Sequence, residues 1–256
     1  MDKKQRISGS RRQFLKGASA IALVAGAPAI IIASRVNASP GSLFTLGVGS
    51  GDPTSRSVVL WTRLAPDPLN GGGLGKRSVY VDWEVATDPH MQHIIRRGTV
   101  VARPRRGHNV QPTVFGLPAD QHLYYRFYAL GQASEIGRTR TFPSRFQKVQ
   151  HMRFSLVSCN NYEQGFFPAY ADIAQQDIDF VVHVGDYMYE GGASSAPLLE
   201  NRVHNGAECF SVEDYRNRYA LYRLDPDLQA AHAQHPFIVT WDDHEVDNNY
   251  AGLTPE

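Results

Sequence analysis

Cysteine is scarce in this 256-residue chain, which has only Cys159 and Cys209. Two thiols exclude a disulfide-built scaffold at this length and leave one optional bridge in an oxidising compartment. A charge excess of either sign is also missing. The 26 basic and 25 acidic residues give a net charge of +1, so nothing favours a polyanion or an anionic membrane as partner. The one basic cluster, Arg96, Arg97, Arg103, Arg105 and Arg106, has no interleaved aromatics and reads as a solvated, Pro-broken loop. No nucleic-acid-binding module is expected. A phosphate-cradling loop is absent too. Before Lys76, Asn70 stands where the first Gly should be, and Arg77 replaces the required Ser or Thr. The glycines at 71–75 instead make a flexible hairpin loop.

Only one apolar run is long, from Ala18 to Ala33, and it is short for a membrane span. Ser10-Arg11-Arg12-Gln13-Phe14-Leu15-Lys16 precedes it in a twin-arginine pattern, and Val36-Asn37-Ala38 follows as a small-x-small cleavage candidate. Residues 1–38 are therefore expected to be an export signal read by the twin-arginine translocation machinery, with a retained anchor as the alternative. That route carries folded, commonly cofactor-loaded proteins. It predicts a periplasmic or extracellular mature protein without a stable membrane anchor once the signal is cleaved.

Residues 39–146 carry short apolar or alternating runs separated by Gly, Pro, Asn and Asp. The runs are Ser57–Thr62, Val79–Val85, Thr99–Val101 and His122–Tyr128. This pattern predicts a β-sandwich, with Pro112 to Phe142 as the last hairpin of a fibronectin-like or immunoglobulin-like module. The chain turns polar at 144–150, and then the period changes. Strands are expected at Phe154–Ser158, Phe180–Val184 and Phe237–Trp241. A helix opens at Pro168, and another follows a capping box at Ser211–Asp214. Tyr215, Tyr219 and Tyr222 recur at helical spacing and read as packing. Strands alternating with helices over 151–256 predict the first part of an α/β domain with a largely parallel sheet.

Each of these later strands runs into metal-ligating residue types. The endings are Cys159-Asn160-Asn161, Gly185-Asp186-Tyr187-Met188-Tyr189-Glu190 and Asp242-Asp243-His244-Glu245. In open α/β sheets the ligand crevice lies beyond the carboxyl ends of the strands. Asp186 suits a bridging carboxylate because Gly185 allows a sharp turn. Tyr189 reaches the same point if Asp186–Tyr189 forms a turn, and is otherwise a packed aromatic. Asp243 and His244 read as a metal ligand and an imidazole facing substrate, or as a buried His satisfied by an Asp. Cys159 has two other readings, a bridge to Cys209 and the nucleophile of a Cys–His–Asp hydrolase, although nothing marks an oxyanion hole.

The segments Phe154–Asn161, Val182–Glu190 and Ile238–Gly252 closely resemble the alkaline phosphatase D (PhoD-like) family of metallophosphoesterases. So do Asp214–Tyr219, Leu224–Gln229 and Ser50–Leu64. The resemblance implies an exported phosphoesterase acting on phosphate monoesters or diesters. It implies ferric iron held by Cys159, Asp186 and Tyr189, with Asp186 bridging to calcium. Asp243, where relatives carry Asn, would be the second-metal ligand. His244 would face the phosphate, with Asn248 as a further catalytic contact. Hard phenolate and carboxylate donors suit these ions. The resemblance also implies that the catalytic domain continues past Glu256 and that this chain carries a truncated portion of it. The competing expectation is a secreted β-sandwich binding module with a non-catalytic α/β remnant.

Overall fold

The computed structural model describes residues 41–254. The twin-arginine motif and its cleavage point therefore lie outside the described residues. Apolar and β-branched runs form strands here because alternate side chains can be buried on one face. The first group is β1 (Val48–Gly51), β2 (Ser57–Arg63), β3 (Val79–Ala86), β4 (Ile94–Ala102), β5 (Asn109–Val110) and β6 (Thr113–Phe115). β7 (His122–Ala129), β8 (Gln132–Ala133) and β9 (Gly137–Arg140) follow. The later segment contributes β10 (Phe154–Val157), α1 (Pro168–Gln175), β11 (Phe180–His183), α2 (Val212–Arg223), α3 (Pro226–Gln234) and β12 (Pro236–Val239).

Two sheets result. One has the order β4-β3-β7-β8, with β9 also paired to β7. The other runs β10-β11-β12-β1-β2-β5, with β6 also on β2. β3 alternates as its sequence requires, with Val79, Val81 and Val85 inward and Tyr80 and Asp82 outward. Those valines meet Val48, Val58 and Leu60 from the other sheet, and Leu123, Tyr125 and Phe127 of β7 complete the core.

The second sheet crosses the polar stretch at 144–150 without a break. β10, β11 and β12 are mutually parallel, and β12 pairs in parallel with β1, at Ser50 with Pro236 and Gly51 with Phe237. β1 then pairs antiparallel with β2. Gly51 is required at this seam, since a Cβ there would lie 2.6 Å from the Phe237 carbonyl oxygen. Buried arginines tie the same seam. Arg223 of α2 donates to the Leu46 and Val48 carbonyls at 2.9 and 3.2 Å. Arg138 of β9 donates to the Gln234 carbonyl at 3.1 Å.

The helices start where their caps dictate. Pro168 occupies the first turn of α1. The capping box forms at α2, with Asp214 as its reciprocal carboxylate. α3 is a helix that pattern reading missed. The Asp225 side chain accepts from the Asp227 and Leu228 amides, and Pro226 opens the first turn. One basic-cluster expectation is also corrected. Arg96 and Arg97 belong to β4, whose pairing with β3 is indifferent to exposed charge, while Arg103, Arg105 and Arg106 sit at a short 3-10 turn. Cys159 and Cys209 are unbonded, the first exposed and the second buried. Among the described residues no helix is long and apolar enough to cross a membrane.

Candidate metal centre

The parallel ladder delivers three chain exits side by side. Backbone bonds continue past the strands, from the Cys159 amide to the Gly185 carbonyl and from the Asn160 amide to the Asp186 carbonyl, each at 3.2 Å. The Thr240 amide bonds the His183 carbonyl at 3.0 Å. The turns off β10 and β11 are sharp. Cys159 and Asp186 hold φ values of 57° and 51°, and Gly185 holds 107°. Non-glycine residues in this region are uncommon, and such strain clusters at functional sites.

Asp186, Asp243 and His244 converge there. Each offers a ligand atom, and these atoms all lie within 4.8 Å of one another. Asp186 is buried, and its Oδ1 has no hydrogen-bond partner. The Tyr189 hydroxyl donates to Asp186 Oδ2 at 3.1 Å, so the turn does bring the phenol back to the carboxylate. Its ring lies 4.1 Å from the His244 ring, centroid to centroid. Cys159 stands outside the 4.8 Å group. Asn248 contributes its backbone amide to Glu190 Oε1 at 2.7 Å.

Electrostatics separate these groups. Burial opposes a charged His244, but the bond and charge of Glu190, with Asp186 and Asp243 behind it, hold the imidazole pKa above its ordinary value. The Asn249 amide, 2.7 Å from Asp243 Oδ2, holds that carboxyl below its usual range. Burial raises the Tyr189 phenol, and the adjacent Asp186 charge raises it further. The partner expected for a buried His244 was an Asp. It is Glu190, 2.8 Å from Nδ1, which leaves Nε2 as the ring atom open to other partners.

Two carboxylates in quoted motifs were given no role from sequence. Glu190 orients His244. Glu245 accepts from the Asp186 and Asp242 amides at 3.1 and 2.8 Å and from the Tyr187 amide, stitching the β11 and β12 exits together. Asn160 was also missed. Its Oδ1 accepts from His183 Nε2 and the Tyr170 hydroxyl, and its amide donates to the Tyr187 carbonyl. The available signal was position, since all three flank the ligand candidates.

An orphaned buried carboxylate oxygen with a second carboxylate and an imidazole beside it is a donor set that fits a cation. Fold and site together define a sheet protein with a candidate metal centre at the carboxyl edge of its parallel strands. Residues 154–256 match the family model for PhoD-like phosphatase, and residues 31–143 match that for its N-terminal domain. Alkaline phosphatase D of Bacillus subtilis (strain 168) is 48% identical over 254 residues, covering 96% of this chain and 44% of that protein. A solved structure of PhoD superposes with a TM-score of 0.80 at 51% identity, covering 83% of this chain and 41% of the other. The chain belongs to the PhoD-like phosphatase family and spans less than half the length of these two relatives.

Proposed function

We propose that this chain belongs to an exported, metal-dependent phosphoesterase that hydrolyses phosphate monoesters, diesters or both. The observation that carries the reading is the meeting of Asp186, Asp243 and His244 around an unpartnered buried oxygen. Under this reading Cys159, Asp186 and Tyr189 would hold ferric iron, and Asp186 and Asp243 would hold calcium. Bound cations would neutralise phosphate oxygens and lower the pKa of an attacking water. His244, oriented by Glu190, donates a hydrogen bond or proton toward the leaving-group oxygen. Asn248, whose amide donates to Glu190 Oε1, would serve as a metal or phosphate contact.

Residues 39–146 are read as the fibronectin-like or immunoglobulin-like sandwich, and 151–256 as α/β metallophosphoesterase structure. Residues 1–38 are read as a twin-arginine signal delivering the protein to the periplasm or outside the cell. The twin-arginine pattern and the cleavage candidate support that routing.

The test loads the purified chain with ferric iron and calcium and assays p-nitrophenyl phosphate and bis(p-nitrophenyl) phosphate. Iron-bound tyrosinate gives a visible charge-transfer band that Tyr189→Phe removes, and Asp186→Asn abolishes metal uptake and hydrolysis together. A folded chain that takes up neither metal would replace this reading with the secreted binding module.

A further inference from the structure

We infer that Arg218 and Tyr222, one turn apart on α2, are positioning residues that fix the backbone of Tyr189 from both sides and so aim its phenol at the candidate metal centre. The inference rests on the reading of Tyr189 as a metal ligand. Residues at i and i+4 share one helix face. From that face Tyr222 accepts the Tyr189 amide at 3.2 Å, while Arg218 Nη1 donates to the Tyr189 carbonyl at 2.6 Å. Both peptide units flanking this one residue are therefore held by the same helix.

Both side chains are heavily engaged. The Tyr222 hydroxyl also accepts the Tyr162 amide at 3.1 Å and lies 2.9 Å from His204 Nε2. His204 Nδ1 donates to the Gly191 carbonyl at 3.0 Å, so in a neutral ring Nε2 accepts the tyrosine proton. One proton and two lone pairs are all used. Arg218 is 1% exposed and also donates to the Gly191 and Ala207 carbonyls at 2.6 and 3.0 Å. A buried guanidinium that bonds three backbone carbonyls of the 189–207 loop holds that loop in one arrangement. The Tyr162 bond extends this control toward the Cys159 loop.

The experiment compares the full chain with Tyr222→Phe, Arg218→Met and Leu221→Ala. Tyr222→Phe keeps the ring that fills the core, so it tests the hydroxyl even if Arg218→Met fails to fold. Leu221→Ala loosens α2 through another side chain. Two readouts are taken: amide hydrogen exchange over residues 186–191 without metal, and titration with ferric iron followed by the tyrosinate band. Tyr222→Phe is expected to speed exchange at 186–191, weaken iron binding by about 10- to 100-fold and shift or weaken the band. Leu221→Ala should keep the wild-type band and iron affinity. Unchanged exchange in Tyr222→Phe would overturn the clamp. Faster exchange with iron affinity and band intact would reduce it to a structural contact. A wild-type chain lacking any band that Tyr189→Phe removes would sink the ligand reading itself and its positioning role, and the exchange data would report separately on the clamp.

Discussion

The two ends of the seven-stranded sheet solve different problems with the same ladder. At the β1–β2 end, Val48, Val58 and Leu60 are fully buried against the opposite sheet. At the β10–β12 end, Phe154, Leu156, Val239 and Trp241 are exposed, and the chain leaves each strand through a turn carrying charge or strain. The first end is built for burial, where each apolar side chain adds to stability. The second places like charges and an orphaned oxygen together, which a folded chain tolerates only if something else is gained. Substitutions should therefore separate the ends, with stability falling at one and metal uptake at the other.

The largest effect is expected in the core. Leu60→Ala truncates a fully buried side chain of β2 and should cost about 2–5 kcal/mol in urea unfolding. Iron taken up per folded molecule should stay at the wild-type level, and a loss there would break the contrast. Gly185→Ala should hit both properties. The new Cβ would lie 2.4 Å from the Asp242 Cβ, at a φ of 107° that side chains rarely adopt. The strain alone is worth about 1–3 kcal/mol. Because Asp242 leads into Asp243, iron binding should drop with it, as calorimetry on the refolded variant would show.

Which parts were legible follows from where the information lies. Periodic burial is written locally, so β2, β3, β7, β11 and α2 fall close to their expected places. β1 was not legible as a strand. Val48–Gly51 is only four residues long and reads as a Gly-rich punctuation mark, yet it is the seam between the two halves of the sheet. No local pattern announces a long-range parallel partner such as Phe237. At the site, ligand candidates stood out because carboxylate, phenol and imidazole follow apolar runs. Their supports did not, because Glu190 acts on the His244 ring, and Glu245 and Arg218 on backbone groups, that only the fold brings close. Tyr222 shows the limit well. Its helical spacing correctly indicated packing, but its hydroxyl organises three segments.

A pH-dependent effect comes from two buried imidazoles outside the Asp186, Asp243 and His244 trio. Burial, the dominant cause, lowers His183 and His235 from 6.5 to about 4. Their neutral rings are used, His183 bonding Asn160 and His235 donating to the Ile173 carbonyl at 3.0 Å. The unfolded chain takes up these protons first, so the stabilisation is complete above about pH 6.5 and is lost as pH falls toward 4. Each ring should contribute about 1.4 kcal/mol per pH unit within that window. Urea unfolding across the window measures the slope. His235→Gln keeps a donor for Ile173 and should remove one ring's share, whereas an unchanged slope would mean that this ring titrates normally.

The smallest stability change should accompany the most complete functional loss. Asp186→Asn keeps the shape of the side chain and an acceptor for the Tyr189 hydroxyl, but deletes the charge at a buried position with an unpartnered oxygen. Without metal, stability should remain within about 1 kcal/mol of wild type or rise, because a neutral amide is cheaper to bury than a lone carboxylate oxygen. With ferric iron added, the wild type should gain melting temperature through binding to the native state, and Asp186→Asn should gain none. Thermal scans with and without iron give both numbers from one sample. A variant that loses stability without metal, yet is still stabilised by iron, would mean that Asp186 belongs with Leu60 as a structural residue, and the contrast between the two ends of the sheet would fail at its most specific point.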